Sequence, residues 1–165
     1  MIAGTSKNLA AFLDAIAWAE GTSTSPATRN NGYDVIVTGV DGRAEVFSDY
    51  RAHPFAGGRP SKLINRKGLT SNAAGRYQHM LRDWAHYRDL LRLPDFGPDS
   101  QDRWAIQLIR ERRALPLIEA GKFTEAVTAV RNLWASLPGA GYKDQPMRAL
   151  ADLTKVYTKA GGVLA

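Results

Sequence analysis

The sequence contains no cysteine among its 165 residues, which excludes a disulfide framework and a thiolate metal site. Long hydrophobic runs are also missing, since no apolar stretch approaches the roughly 18 residues that a membrane-spanning helix needs. The apolar stretch after Lys7 is interrupted by Asp14 and Glu20, and it has no hydrophobic region typical of a signal peptide. We therefore expect a protein that is made in the cytoplasm, is soluble and carries no signal peptide.

Positive charge exceeds negative charge, with 22 Lys and Arg against 16 Asp and Glu and a net charge of +6. Such a surface favours polyanions, namely nucleic acid, anionic lipid or the bacterial cell wall, and the charge alone does not choose among them. The hydrophobic share of 44% and the charged share of 23% are ordinary for a globular protein. The length fits one well-packed domain, which we place at residues 1–165.

Glu20 stands where an amphipathic helix ends. The large apolar residues before it have helical spacing, at Leu9, Phe12, Leu13 and Ile16. They predict a helix from about Ser6 to Ala19, with Thr5 or Ser6 as N-cap and Gly21 after its end. One further turn of the apolar stripe reaches Glu20, whose carboxyl would meet the negative end of the helix dipole and be partly desolvated. Both effects favour the protonated form that a general acid requires, although a solvated glutamate at a helix end is the alternative.

The rest of the chain predicts an α+β fold, a mainly helical domain with a small antiparallel sheet of two or three strands inserted after the first helix. A strand is expected at 33–37, with an antiparallel return at 45–47, and residues 48–72 show no periodicity. The later helices are predicted at about 75–92, from Gly97-Pro98 onward, at 116–120, after a Thr124 cap, and at 144–160 with Met147 directed inward.

The histidines do not predict a metal site. His79 and His86 are seven residues apart on one predicted helix, His53 lies in the irregular segment, and no pair has the i,i+4 spacing of helical metal ligands. We expect neither a metal nor another cofactor.

Four segments of the chain are informative as a set, namely Ala17-Trp18-Ala19-Glu20-Gly21-Thr22, Asn31-Gly32-Tyr33-Asp34-Val35-Ile36, Ala74-Gly75-Arg76-Tyr77-Gln78 and Trp134-Ala135-Ser136-Leu137-Pro138-Gly139-Ala140-Gly141-Tyr142. Together they resemble the lambda-type phage endolysins, a family of small lytic transglycosylases with a lysozyme-like fold. Residues 95–102 and 112–116 also fit, and the resemblance extends from about Leu9 to Gly162. Each segment alone is weak, but their common order and spacing make the match specific.

The resemblance implies cleavage of the β-1,4 bond between N-acetylmuramic acid and N-acetylglucosamine in peptidoglycan without water. The 6-hydroxyl of muramic acid closes onto its own C1 and leaves a 1,6-anhydro end. Glu20 would be the only catalytic carboxylate, first giving a proton to the glycosidic oxygen and then accepting one from the 6-hydroxyl. One group used twice needs a pKa near the working pH.

The resemblance also implies a sugar cleft lined by residues 74–78, with lips at about 51–64 and 136–142. The candidate substrate-binding residues are Tyr33, Asp34, Arg76, Tyr77, Gln78 and Tyr142. Tyr77 and Gln78 would help to hold an N-acetyl group, although Tyr77 also fits ordinary packing. Arg76 could pair with Glu20 or Asp34, or be solvated.

Two other functions remain open from the residues themselves. A hydrolytic lysozyme would use a second carboxylate, roughly 5–9.5 Å from the first, and Asp34 is the best candidate, with Asp49 more distant. Asp34 also fits a structural hydrogen-bond acceptor near the start of the sheet. A non-catalytic basic module that binds glycan or nucleic acid is the alternative from another class. Its basic residues, Arg51, Arg59, Lys62, Arg66 and Lys67, are not interleaved with aromatic residues and are typical of a solvated surface.

The expected partner is the glycan strand of peptidoglycan, with no nucleic acid and no membrane insertion, and we expect a monomer. The resemblance implies that a phage holin releases the enzyme from the host cytoplasm into the periplasm, where the cell wall lies.

Overall fold

The computed structural model describes residues 4–141 and 147–165. The chain divides into two compact units, which we call the helical unit (1–20 and 105–165) and the sheet unit (21–104). Among the described residues, no helix combines the length and the apolar character needed to cross a membrane. The assignment of 1–165 to one catalytic domain stays a prediction.

The described residues form six helices and six strands of two residues each. In chain order they are α1 (Lys7–Ala19), β1 (Val35–Ile36), β2 (Glu45–Val46), β3 (Lys62–Leu63), β4 (Thr70–Ser71), β5 (Ala73–Ala74), β6 (His79–Met80), α2 (Leu81–Leu91), α3 (Pro98–Glu111), α4 (Leu115–Glu119), α5 (Phe123–Val130) and α6 (Leu150–Lys159). The α+β class, with its small antiparallel sheet after the first helix, is as predicted.

Helix α1 organises the helical unit, because it packs against α4 and α6 through its apolar face. The Ser6 side chain caps the helix by accepting a hydrogen bond from the Leu9 amide at 3.1 Å. Beneath it, Phe12 meets Phe123 edge to face at 5.8 Å, and Phe123 stacks on Tyr157 at 4.4 Å. This packing holds the C-terminal end of α1 in place, as the sequence predicted for a helix from Ser6 to Ala19.

The sheet unit contains a four-stranded antiparallel sheet with strand order β2-β1-β5-β6, and β3 and β4 form a separate two-stranded hairpin. Val35 pairs with Val46, and Ile36 pairs with Ala74 on its other side. The pairing of β1 with β2 confirms the predicted return. The expectation of two or three strands was too low, because strands of two residues are too short to show an alternating pattern.

The predicted helix over 75–92 is wrong in its first part. Residues 73–80 form the β5–β6 hairpin, and α2 begins only at Leu81, whose amide donates to Asn72 Oδ1 at 3.2 Å. Gly75 and Gln78 in the connecting turn have φ values of 79° and 49°, which no α-helix can accommodate. The apolar spacing was misleading, because a buried hairpin that leads into a helix can reproduce a helical repeat over a few residues.

The histidines are consequently not on one helix, since His79 lies in β6 and His86 in α2. His79 is buried and its ring stacks on Trp104 at 4.0 Å with an interplanar angle of 4°. Burial lowers the pKa of His79 to about 3, so the ring is neutral and serves as a core group.

The last two helices begin differently from the sequence prediction. Helix α6 starts at Leu150, and the start predicted at Asp144 lies outside the described residues. Met147, expected to point inward on this helix, is 49% exposed. The Arg148 amide donates to Ser136 O at 2.8 Å and Ala149 is extended, so this stretch lies along a loop and cannot be helical. Thr124 lies inside α5, whose N-cap is Lys122.

Gly75 and Gly68 provide a matched pair of substitutions in the sheet unit. Both have positive φ, but a Cβ at Gly75 would overlap Gln101 Oε1, whereas Gly68 has no neighbouring atom within 4 Å. We expect either alanine to lose about 1–2 kcal/mol through backbone strain. Gly75→Ala should lose about 1–3 kcal/mol more through overpacking. Urea denaturation of both variants measures the difference, and equal losses would contradict the close contact between Gly75 and Gln101.

Candidate active site

Glu20 is the C-cap residue of α1. Its φ of −69° and ψ of −8° remain helical, and its amide donates to Ile16 O at 2.9 Å. Gly21 follows with a φ of 73° and turns the chain away. The residue is half-buried, as expected for the last position of the apolar stripe. The predicted position of this carboxyl, at the end of a packed helix, is therefore correct.

Ser136 holds the Glu20 carboxyl from the loop that follows α5. Its hydroxyl donates to Glu20 Oε1 at 2.5 Å, and its backbone N–H also hydrogen-bonds to this side chain. Ser136 is fixed in turn, since its carbonyl accepts from the Arg148 amide and the next residue, Leu137, closes a turn onto Trp134 O at 3.1 Å. Segment 134–142 is one of the four segments that carry the family resemblance, but the sequence does not predict the contact of its Ser136 with Glu20.

Opposing influences act on the protonation of Glu20. Burial is the strongest and raises the pKa of the Glu20 carboxyl above its usual range. The hydroxyl and the amide of Ser136, followed by the positive charge of Arg148, shift this pKa downward. The net shift is upward, which makes the neutral acid accessible at higher pH than for a solvated glutamate. The site also contains donors that stabilise the carboxylate once it forms.

Arg148 is the second residue of this site that sequence reasoning missed. Its Nε donates to Ala19 O at 3.3 Å, and its guanidinium lies over the Trp18 ring, 4.9 Å from the centroid. No motif surrounds Arg148, and it was expected inside a helix, so the sequence carries no signal for this contact.

Asp34 has both carboxylate oxygens engaged within its own loop. Thr28 Oγ1 donates to Oδ1 at 2.5 Å, and the Arg29 amide donates to Oδ2 at 2.9 Å. Thr28 Oγ1 also accepts from the Gly32 amide at 2.7 Å, so Thr28 links Gly32 to Asp34 and closes the loop before β1. The side chain is buried, and this geometry agrees with the structural-acceptor interpretation of Asp34.

Tyr33 and Tyr77 direct their hydroxyl groups to one buried carboxylate. Both donate to Asp102 Oδ1, at 2.7 and 2.6 Å, and their rings meet edge to face at 6.4 Å. Burial, with the nearby Asp102 charge, raises the pKa of both hydroxyls, so both remain protonated donors. The packing interpretation of Tyr77 fits this arrangement, since only 1% of the residue is exposed.

Arg76 is buried, which makes the solvated interpretation wrong. Its Nη1 donates to Asn31 O, and its guanidinium lies over the Tyr33 ring at 5.1 Å from the centroid. With 2% of the residue exposed, the side chain is a structural cation of the sheet unit.

Gln101 fixes the turn that carries Gln78. Its Oε1 accepts from the Arg76 amide at 2.8 Å, and its Nε2 donates to Tyr33 O at 2.9 Å and Phe96 O at 2.8 Å. Gln78 donates from Nε2 to Gly75 O at 3.1 Å and remains half-buried, the least covered residue of 73–79. Gln101 lies in segment 95–102, which the resemblance had included without assigning it a role.

The remaining candidates have simpler surroundings. Asp49 is exposed and pairs with Arg51 at 2.6 Å, and its hydrogen bonds from Arg51 lower its pKa to about 2. Arg59 and Lys62 both pair with Glu45, at 2.6 and 3.2 Å, so part of the basic loop is paired rather than solvated.

Tyr142 lies outside the described residues. Within 4–141 and 147–165, no three His, Asp or Glu side chains are grouped so that they could hold a metal ion.

Comparisons with known proteins identify the family of this chain. The endolysin family model matches residues 10–164. The endolysin of Escherichia phage P2 is 57% identical over 164 residues, covering 99% of both chains, and that of Escherichia phage lambda is 47% identical, covering 93% of this chain and 91% of its own. This chain belongs to the endolysin family. It is therefore related to the phage enzymes that degrade the peptidoglycan of the host, and the resemblance of the four segments is confirmed.

Solved structures support the same fold. The lambda phage lysozyme complexed with a chitohexasaccharide has a TM-score of 0.87 at 44% identity, covering 99% of this chain and 100% of that one. A second structure of the lambda phage lysozyme gives 0.82 at 40% identity, with the same coverage. The lysozyme-like class expected for this endolysin is therefore correct.

The raised pKa of Glu20 predicts a pH-dependent gain in stability for Glu20→Gln. A carboxyl whose pKa is raised on folding stabilises the protein fully below its unfolded pKa, and this contribution is lost as the pH rises through the folded value. The neutral glutamine avoids the burial of a charge and can still accept the Ser136 bond. The variant should thus be more stable than the wild type at pH 8, with a smaller difference at pH 4. Urea midpoints at both pH values measure this, and a constant difference would contradict the burial effect.

Proposed function

We propose that this endolysin cleaves the β-1,4 bond between N-acetylmuramic acid and N-acetylglucosamine by lytic transglycosylation, with Glu20 as the only acid and base. The observation that carries the proposal is the Glu20 carboxyl itself, which burial drives toward the neutral acid while Ser136 and Arg148 favour the carboxylate. A group balanced in this way can give a proton and take one back within a single reaction cycle.

The proposed reaction needs no water. Glu20 protonates the glycosidic oxygen as the bond from that oxygen to C1 of muramic acid breaks. The 6-hydroxyl of the same sugar then forms a bond to C1 and gives its proton to the Glu20 carboxylate, which regenerates the acid. Ser136 stabilises the carboxylate between these two transfers, since both of its donors contact this side chain.

The two other carboxylates considered in the sequence support a single-carboxylate reaction. Asp34 is buried with both oxygens occupied by Thr28 and Arg29, so activation of a water would require these bonds to open. Asp49 is exposed and ion-paired with Arg51. A hydrolytic lysozyme, which uses a second carboxylate as base or nucleophile, is thus the less favoured reaction.

For the glycan, we propose that Gln78 is the contact residue of segment 74–78. The lambda phage lysozyme has been solved with a chitohexasaccharide, which supports a β-1,4 glycan as ligand here. Gln78 is half-buried on a fixed turn and can donate and accept hydrogen bonds. We propose that Tyr33, Asp34, Arg76 and Tyr77 act on the substrate through this turn and its neighbouring loop, because their polar groups are engaged inside the sheet unit.

The proposed setting is host lysis. The enzyme would act as a monomer on peptidoglycan strands in the periplasm, after a holin has opened the inner membrane, as the family resemblance implies.

Mass spectrometry of the muropeptides released from purified peptidoglycan tests the reaction. The wild type should give non-reducing products lighter by one water than the hydrolysed species, and Glu20→Gln should release at least about 100-fold less. Asp34→Asn, which keeps the shape of the side chain, should give the same anhydro products. Reducing ends from the wild type would establish hydrolysis instead, and release by Glu20→Gln would remove Glu20 as catalyst.

Ser136→Ala should move the pH dependence of the reaction. Loss of the hydroxyl removes a donor that favours the carboxylate, so the pKa of Glu20 rises further. The alkaline limb of kcat/KM should therefore move to higher pH, and kcat should fall about tenfold because the carboxylate intermediate loses a charge-assisted bond. Ser136→Thr keeps the hydroxyl, so its alkaline limb of kcat/KM should lie at the same pH as in the wild type. An unchanged limb in Ser136→Ala would show that this bond does not govern Glu20.

A further inference from the structure

Arg148 presents an exposed positive charge beside the candidate catalytic acid. Its Nε donates to the carbonyl of Ala19, the residue before Glu20. The positive charge of the guanidinium lowers the pKa of the Glu20 carboxyl. The Arg148 amide is bonded to the carbonyl of Ser136, the same residue whose hydroxyl holds Glu20. The position of this cation is thus tied to the acid by two separate backbone contacts.

Two contacts orient the guanidinium of Arg148. The Trp18 ring supports one face of the guanidinium at 4.9 Å. Among residues 4–141 and 147–165, no Asp or Glu forms an ion pair with Arg148, whereas Arg51, Arg59 and Arg88 each pair with a carboxylate. The residue remains exposed. A planar donor fork that belongs to an exposed residue and is held on an aromatic ring is suited to bind a carboxylate.

We propose that Arg148 binds a carboxylate of the stem peptide carried by muramic acid, and so selects peptide-bearing peptidoglycan over neutral β-1,4 glycans. This inference rests on the proposed function of Glu20 and names the substrate class of the same site. The muramic acid residue whose glycosidic bond is broken carries its peptide on the lactyl group of the same ring. An anionic substituent therefore accompanies every scissile bond, within one sugar of the oxygen that Glu20 protonates. A chitooligosaccharide has the same backbone without this charge.

Binding is best measured in the Glu20→Gln background, where cleavage is blocked and Arg148 can no longer act through the protonation of Glu20. The two probes are a GlcNAc–MurNAc oligosaccharide that retains its stem peptides and a chitooligosaccharide of the same sugar number. Titration calorimetry should show that adding Arg148→Gln weakens binding of the peptide-bearing probe about tenfold, the effect of losing one charge-assisted contact. Binding of the neutral probe should be unchanged, which also shows that the variant is folded.

Arg110→Gln is the matched control, because it removes the same charge from an exposed position of α3 that contacts the Gln107 side chain. It should change neither affinity. Arg148→Lys keeps the charge without the planar fork and should bind the peptide-bearing probe with intermediate affinity. In the parent background, added salt should weaken binding of the charged probe more than that of the neutral probe.

If Arg148→Gln weakened the affinity for both probes equally, the proposal would be overturned. Arg148 would then have only a structural role, through its contacts with Trp18 and Ala19. Unchanged affinity for the peptide-bearing probe would overturn it as well. Failure of the proposed function gives a different result, because it would appear as reducing ends in the wild-type products or as muropeptide release by Glu20→Gln, and neither readout involves Arg148.

Discussion

The packing of the apolar face of α1 is the constraint on which the helical unit depends. Glu20 continues the apolar stripe of its helix, so the packing that anchors α1 on Phe123 also fixes the position of the acid. Burial alone would leave a carboxyl that binds its proton too firmly to act as a base. Ser136, in the loop after α5, lowers the pKa of Glu20 by hydrogen bonding to its carboxyl, and the positive charge of Arg148 lowers it further. Acid strength is thus set by tertiary contacts around a helix end.

In the sheet unit, buried charged residues have a structural role. Asp102 and Arg76 are almost fully buried, and the hydroxyls of Tyr33 and Tyr77 both bond to Asp102. The shared Oδ1 of Asp102 gives each of these buried hydroxyls an acceptor, and buried hydrogen bonds of this kind favour one conformation. Gln101 extends this network to the backbone of the turn before Gln78. A rigid turn of this kind can present one polar side chain with little loss of entropy on binding.

Membership of the endolysin family narrows the function to wall degradation, but the choice between transglycosylation and hydrolysis lies in the surroundings of single residues. The engagement of Asp34 by Thr28 and Arg29 bears on this choice, because a carboxylate with both oxygens occupied is poorly prepared to activate water. Selection among glycans depends on a different feature, the exposed guanidinium of Arg148. Catalysis and selectivity would then arise from neighbouring residues with separate roles.

The sequence by itself determined the α+β class, the helix from Ser6 to Ala19 and the place of Glu20 at its end, because helical periodicity and a terminal glycine are local signals. It could not determine the β5–β6 hairpin, since two-residue strands leave no pattern, or the start of α6, which a contact with Ser136 sets. Only the tertiary structure brought Ser136 and Arg148 to Glu20, across more than a hundred residues of chain, and directed Tyr33 and Tyr77 to Asp102. Local sequence fixes which residues can form an element, whereas the partner of each polar group depends on chain segments that meet only after folding.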